Sequence, residues 1–174
     1  GLSTVTAEAA ALGDDSEEET YAQDVTELAE IPALTAITLA TCQSLTSIKG
    51  DLIGDPLEIA AFEKLGWKLT TSRGSGSSAV GTVVVPPKGK FRVGPVRIVK
   101  RHPFSSELKR MSVIAHVPSI DLPSEAKTEA PSPAGGMYCF TKGAPEVVRE
   151  FLAAVPENYD GVYLHYMSKG YRVL

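Results

Sequence analysis

The sequence predicts an α+β domain in which helices flank a mostly antiparallel, twisted sheet. Short strand-like runs follow one another across residues 82–117, and helical patterns lie before and after them. Consecutive strands without intervening helices favour antiparallel pairing, and the helices then form a second layer on the sheet. The chain has 174 residues, which suits one domain with a core of its own, so we expect residues 1–174 to form a single domain.

Two helices are predicted before the sheet. The first spans residues 32–47, with Pro32 in its first turn. Its buried side is expected to comprise Leu34, Ile37, Thr41 and Leu45. The second spans residues 56–65, because Asp55 is a good N-cap and Gly66 a good C-terminal stop. Its apolar stripe comprises Leu57, Ala60, Ala61 and Leu65.

Five runs are predicted to be strands, and two more helices follow them. The strands are residues 67–71, 83–85, 91–100, 108–117 and 137–142. The third is interrupted by Gly94-Pro95, which indicates a bulge or an edge. In the fourth, alternate residues form the apolar face, namely Met111, Val113, Ala115 and Val117. A helix beginning at Pro145 is expected to place Val147, Val148, Phe151 and Leu152 on one face. A last helix from Tyr159 is closed by Gly170 and followed by a strand.

Three segments are predicted to be loops, and the ends look cut from a longer chain. Residues 11–30 are acidic, residues 72–81 are rich in glycine and serine, and residues 118–135 contain four prolines.

No run is apolar enough to span a membrane. The net charge of −4 argues against nonspecific binding to nucleic acid or to an acidic membrane. Two cysteines are too few for a disulfide framework, so we expect free thiols.

Four short segments stand out as candidates for chemistry. They are GDPLEIA at 54–60, FSSELKRMS at 104–112, KGAPE at 142–146 and GYRVL at 170–174. Each also has a purely structural interpretation as a helix start, a strand entrance, a turn or a helix stop. The third places a lysine at a strand end beside a glycine, where backbone can approach a ligand closely. It is not a phosphate-binding P-loop, because the GxxxxGK[ST] pattern is absent. The histidines lack metal-ligand spacing, so no metal site is predicted.

Together, in this order and spacing, the four segments resemble the nucleotide-binding domain of P-type ATPases. FSSELKRMS is similar to the Phe-Ser-x-x-x-Lys-x-Met-Ser segment of that family, and KGAPE is the family's best-known mark in this domain. The resemblance covers residues 40–174. Residues 40–45, 54–58 and 104–112 look like the type V subfamily, and residues 142–174 are similar to its endoplasmic-reticulum branch. Gln43 departs from the histidine expected there.

The resemblance implies which residues hold the adenine of ATP. Phe104 would stack on the base and Met111 would line its pocket, although either side chain could be ordinary core. Lys142 would lie at the inner end of the pocket, near adenine and the path to the phosphates, and Gly143 would let backbone approach. Glu58 would hydrogen-bond the adenine amino group or hold the shape of the pocket. Its alternative is an exposed helix carboxylate.

The resemblance also implies a phosphate end of the site. Lys109 would meet the phosphates as a point charge, and Arg172 would do so from the far side with its planar fork. Both could instead be solvated surface cations. Ser105 and Ser106 would donate to the nucleotide or shape the turn.

The resemblance implies that ATP is held here and hydrolysed elsewhere. The family forms an aspartyl-phosphate on a separate phosphorylation domain, in a DKTGT segment that is absent from this sequence. We therefore expect no catalytic residue in this chain. ATP would bring Mg²⁺ whose ligands lie mostly outside it. The expected partners are the phosphorylation and actuator domains of the same polypeptide, with no nucleic acid and no direct membrane contact, and the isolated domain is expected to be a monomer.

The endoplasmic-reticulum branch implies a cytosolic domain of a membrane protein that removes misplaced transmembrane helices. Two alternatives stay open at this point. The chain could be the nucleotide domain of a cation-transporting P-type ATPase. It could also be a protein-interaction module without nucleotide, in which residues 11–30 and 118–135 are docking tails.

Overall fold

A computed structural model describes residues 31–73, 80–118 and 135–174. It also describes a short antiparallel pairing of β1 (Thr4–Val5) with β2 (Val25–Thr26). The predicted acidic and Pro-rich loops, and the centre of the loop at 72–81, therefore fall largely outside the described residues. No helix in the described part of the chain is both long and apolar enough to cross a membrane.

Two helices precede the main sheet, and the second begins and ends as predicted. α1 spans Ala33–Thr41, and α2 follows the hairpin described below and spans Pro56–Leu65. Asp55 Oδ1 accepts a hydrogen bond from the amide of Leu57 at 2.8 Å, which satisfies a free donor at the helix start. Gly66 ends the helix with a φ of 73°, which a glycine adopts without strain.

The first predicted helix is wrong beyond residue 41. A hairpin of β3 (Thr46–Ile48) and β4 (Asp51–Ile53) occupies this part of the chain. Lys49 and Gly50, at its turn, have φ values of 55° and 100°, and two positive φ values are what a tight two-residue hairpin requires. Thr46 and Ile48 are β-branched, so the strand suits them better than a helix.

The predicted apolar stripes of both helices are also partly wrong. Leu34 and Leu57 are each 43% exposed, so neither is buried. Leu45 is buried, but it follows the helix instead of belonging to it. Phe62, on α2, is buried with Leu65 and takes the place of Leu57.

The main sheet has five antiparallel strands in sequence order, which confirms the predicted α+β architecture. They are β5 (Lys68–Arg73), β6 (Val80–Val85), β7 (Val96–Ser105), β8 (Arg110–Val117) and β9 (Gly136–Gly143). α1 packs on β7 and β9 and against α2. The predicted inner face of β8 is buried throughout, from Met111 to Val117. The core therefore lies between one face of the sheet and the two helices.

Strand β7 contains two register shifts that reverse which residues face the core. Its predicted first half is wrong: β7 begins at Val96, and Phe91 and Arg92 precede it with positive φ values. The first shift inserts Val99 between Ile98 and Lys100. The second leaves two residues, Pro103 and Phe104, opposite one on β8. Proline has no amide hydrogen to donate, so a bulge at that position costs the ladder little.

Two helices follow the sheet, α3 (Pro145–Arg149) and α4 (Tyr159–Ser168). The prediction that Phe151 and Leu152 extend a buried face of α3 is wrong, because they are 60% and 37% exposed. After residue 149 the hydrogen-bond pattern changes. The amides of residues 150–152 donate to carbonyls three residues back, the pattern of a 3₁₀ turn, and this ends the α-helix. Gly170 closes α4 with a φ of 82°, as predicted, but no strand follows it.

Candidate functional site

Three of the predicted site residues form a row across neighbouring strands at one end of the sheet. Met111 on β8 is the register partner of Lys142 on β9. On the other side, the shift in β7 places Phe104 opposite Met111, beside Pro103. β7, β8 and β9 therefore bring together a ring, a thioether and an ammonium that are distant in the sequence.

Phe104 offers an exposed aromatic ring at the end of this row. The residue is 57% exposed, which excludes the alternative that it is an ordinary core phenylalanine. The bulge explains the exposure, because bulges bend a strand and re-aim its side chains. An exposed ring presents a flat apolar surface on which a planar ligand can stack.

Met111, at the centre of the row, is buried. Its side chain is 3% exposed and belongs to the main hydrophobic cluster. Its carbonyl oxygen lies 3.6 Å from the Cys42 thiol, which is also buried. The structure therefore favours the alternative of a core residue that supports the floor of the site.

Glu58 and Lys142 form a largely buried ion pair beside the row. Glu58 Oε1 lies 2.7 Å from Lys142 Nζ, and the two side chains are 12% and 20% exposed respectively. The other carboxylate oxygen, Oε2, accepts a hydrogen bond from the amide of Ser44 at 2.8 Å. Glu58 is thus not an ordinary exposed carboxylate of α2. Partial burial requires such a charge to be paired, and here both oxygens have partners.

Gly143 has a packing role within the protein itself. A Cβ at this position would lie 2.5 Å from the carbonyl oxygen of Lys109 and 2.9 Å from the Cα of Arg110. The close backbone approach that the glycine allows is therefore between β9 and the start of β8. The amide of Ala144 completes this contact by donating to the same Lys109 oxygen at 3.0 Å.

The predicted phosphate residues lie in two separate segments of the chain. Lys109 lies in the turn between β7 and β8, with its Nζ 3.5 Å from Glu146 Oε1. Both side chains are about half exposed, so this pair contributes little to stability. Arg172 is exposed in the segment after α4 and makes no hydrogen bond or ion pair with the other described site residues.

The two predicted serines lie in the same turn between β7 and β8. Ser105 Oγ accepts a hydrogen bond from the amide of Leu108 at 3.3 Å, so it shapes the turn. Ser106 is exposed. Arg110, which sequence reasoning did not single out, places its guanidinium 4.5 Å from the centre of the Phe151 ring. The sequence feature that could have identified Arg110 was its position inside the FSSELKRMS segment.

Sequence reasoning also missed a partly buried polar contact next to the ion pair. Arg101, on the inner face of β7, donates from Nε to the carbonyl of Gln43 at 3.1 Å. Burial lowers the pKa of its guanidinium, and the nearby carboxylate of Glu58 opposes that shift. Strict alternation of side chains from Ile98 would have put Arg101 on the outer face. The bulge at Val99 turns it to the inner face instead.

The arrangement combines a stacking surface with a charge-balanced hydrogen-bonding pair. A flat heterocycle on Phe104 would lie in the same row as Lys142, which offers donors, and next to Glu58, which offers acceptors. The described residues contain no group of three histidine, cysteine, aspartate or glutamate side chains that could hold a metal ion.

Comparison with known proteins gives relatives at about one third identity, whereas no family model matches the chain. The endoplasmic reticulum transmembrane helix translocase spfA of Aspergillus fumigatus is 34% identical over 147 residues, 84% of this chain and 10% of the relative. The probable manganese-transporting ATPase PDR2 of Arabidopsis thaliana is 33% identical over 155 residues, 86% of this chain and 10% of the relative. The polyamine-transporting ATPase 13A3 of Macaca fascicularis is 33% identical over 159 residues, 78% of this chain and 12% of the relative. The chain thus spans about a tenth of the length of these relatives.

Proposed function

Because the chain belongs to the type V subfamily of the P-type ATPases, we propose that it is the domain that holds ATP. It would bind the adenine end and present the γ-phosphate to an aspartate on a separate phosphorylation domain. The observation that carries the proposal is the exposed ring of Phe104 in one row with Lys142, whose partner is Glu58.

Stacking supplies the first part of the proposed binding energy. A base on an aromatic ring is worth about 1–3 kcal/mol, with little discrimination among bases. Glu58 and Lys142 would add hydrogen bonds to the polar edge of the base. A site open on one side should hold ATP weakly, with a Kd on the order of tenths of a millimolar to millimolar, or about 4–5 kcal/mol.

The phosphates would extend from the row toward the turn between β7 and β8. Lys109 there is about half exposed and would meet them as a point charge, and Ser106 lies in the same turn. Arg172, exposed in the segment after α4, would meet them from the far side. Mg²⁺ would arrive with ATP, its ligands mostly on another domain. Closure would then do the catalytic work by positioning.

For the full-length protein we propose a membrane ATPase of the endoplasmic reticulum, with this chain as a cytosolic domain, that removes misplaced transmembrane helices. The support is the name of the Aspergillus relative, which is 34% identical to this chain over 84% of its length. The manganese-transporting name of the Arabidopsis relative favours a cation pump as the second candidate. Which cargo stimulates ATP hydrolysis by the full-length protein separates the two.

Titration of the chain with ATP, followed by backbone amide shifts, tests the nucleotide role. We expect saturable shifts around residues 104–111 and 142–146 in the wild type. Phe104→Ala should weaken binding about five- to 150-fold, the equivalent of the stacking energy. Met137→Ala is the matched control, because Met137 is 54% exposed but lies on the opposite face of the sheet. Its affinity should equal that of the wild type.

Two outcomes would overturn the proposal. A wild type without saturable shifts would favour the interaction module. Wild-type affinity in Phe104→Ala would show that the base lies elsewhere.

A further inference from the structure

We propose that Arg101 is a positioning residue for the candidate nucleotide site. It would fix the turn that follows α1, and that turn would keep Glu58 paired with Lys142. The inference rests on the proposed function, since it explains how the base-binding pair is held ready for a ligand.

The first step is the direction in which Arg101 points. Ile98 faces the core, so simple alternation would turn Lys100 inward and Arg101 outward. The extra residue Val99 reverses this, because a one-residue slip sends every later side chain to the other face. Arg101 is consequently the register partner of buried Val113, and Lys100 is exposed. A guanidinium turned inward costs free energy unless its donors are satisfied.

The second step is what the guanidinium holds. Its Nε donates to the Gln43 carbonyl at 3.1 Å, and its Nη1 lies 3.3 Å from the Thr82 hydroxyl. Its Nη2 is buried and has no hydrogen-bond partner among the residues that the structure describes. Leaving a charged donor unsatisfied is unfavourable, which raises the cost of an arginine at this position.

The third step is the turn itself, in which consecutive residues are all engaged. Gln43 is 1% exposed, and its Oε1 accepts a hydrogen bond from the amide of Leu45 at 2.6 Å. Its Nε2 donates to the carbonyl of Ala40 at 3.2 Å. Between them, the amide of Ser44 donates to Glu58 Oε2. The peptide plane that joins the Gln43 carbonyl to the Ser44 amide therefore connects Arg101 directly to Glu58.

That shared peptide plane makes the coupling specific. Arg101 donates to the Gln43 carbonyl oxygen of this plane, and Glu58 accepts from the Ser44 amide hydrogen of the same plane. Rotating the plane would therefore break both contacts. Glu58 would then lose one of its two anchors, and the 2.7 Å contact with Lys142 would loosen. Removing Arg101 should thus free the Lys142 ammonium without touching it.

Chemical reactivity of Lys142 tests this coupling in the absence of nucleotide. We expect acetic anhydride to acetylate Lys142 about tenfold faster in Arg101→Met than in the wild type, as peptide mass spectrometry would measure it. Lys49, exposed in the hairpin, is the internal reference. Arg97→Met is the matched control, because Arg97 is exposed on the other face of the same strand, and it should leave the Lys142 rate unchanged.

A double-mutant cycle on ATP affinity separates positioning from general destabilisation. If Arg101 acts through Glu58, adding Arg101→Met to Glu58→Gln should weaken ATP binding no further than Glu58→Gln alone. Independent, additive losses would overturn the proposal. Should Arg101→Met fail to fold, Arg101→Lys keeps the charge but cannot span Gln43 and Thr82 together, and it too should accelerate Lys142 acetylation.

The outcomes distinguish this inference from the proposed function. An unchanged Lys142 rate in both Arg101 variants overturns the positioning role, even if the wild type binds ATP. If the wild type does not bind ATP, the nucleotide role is overturned. The acetylation rates still decide whether Arg101 controls the reactivity of Lys142.

Discussion

Gly143, at the end of β9, lies against the backbone of Lys109 and Arg110 at the start of β8. The atoms that a Cβ at position 143 would meet include the Lys109 carbonyl oxygen and the Arg110 Cα, neither of which a rotamer change can move aside. Lys109 itself has a φ of 47°, an unusual value for a residue with a side chain. The KGAPE and FSSELKRMS segments therefore depend on each other through backbone packing as well as through any shared ligand.

Replacing Gly143 should destabilise the protein through this contact. We expect Gly143→Ala to lower the free energy of unfolding by about 1–3 kcal/mol, the usual cost of overpacking. Urea unfolding followed by the fluorescence of Trp67, which is 4% exposed, would measure it. Gly94→Ala is the comparison, because its nearest contact is a Pro118 ring carbon at 3.2 Å and its φ is not positive. Equal losses in both variants would contradict the backbone explanation.

α2 is the element that delivers Glu58 to the site. Glu58 lies in its first turn, immediately after the Asp55 cap and Pro56, so the capping geometry sets where the carboxylate begins. The same helix packs Phe62 and Leu65 into the core, which fixes its orientation over the sheet. Local signals thus determine the helix ends, and tertiary packing determines its rotation.

Removing the cap should weaken the protein measurably. Asp55→Ala is expected to cost about 1 kcal/mol of unfolding free energy, because the Leu57 amide loses its acceptor. Asp51→Ala provides the control: this residue is also an exposed aspartate, but it lies in the β3–β4 hairpin, away from any helix start. The two midpoints in urea should differ, and coincident curves would rule out a capping contribution.

At the scale of the whole molecule, the candidate site lies at one end of a five-stranded sheet. The exposed ring, the ion pair and the turn after α1 converge there from three parts of the chain. The relatives are about ten times longer than the aligned segment. Under the proposed function, ATP binding would belong to this chain and phosphoryl transfer to a separate domain.

This division predicts that the isolated chain binds ATP without turning it over. Phosphate release with Mg²⁺ and excess ATP should not exceed the rate in buffer, because no phosphate-accepting aspartate segment is present. Phe104→Ala is the diagnostic variant. A steady rate of hydrolysis by the wild type that this substitution abolished would show that the chain is catalytic by itself.

Local chemistry predicted the fold class, the limits of α2 and the buried face of β8. It could not predict the bulges in β7, because a register shift depends on the neighbouring strand as well as on the strand's own residues. The inward position of Arg101 was therefore not predicted, and the nucleotide role of Phe104 stays a prediction from resemblance. Two predicted helices were too long. In both, apolar residues continue at helical spacing, beyond residue 41 and beyond residue 149, without a stop signal.

The two cysteines differ in a way that is useful for spectroscopy. Cys42 is fully buried, and desolvation raises the pKa of its thiol to about 11, so it carries almost no thiolate at neutral pH. Cys139 is exposed on the back of the sheet, where its register partner is Ile114. A maleimide dye or nitroxide should therefore attach to one sulfur of the unmutated chain, on the surface facing away from Phe104. The protein thus has a natural single-site handle for distance measurements to a neighbouring domain.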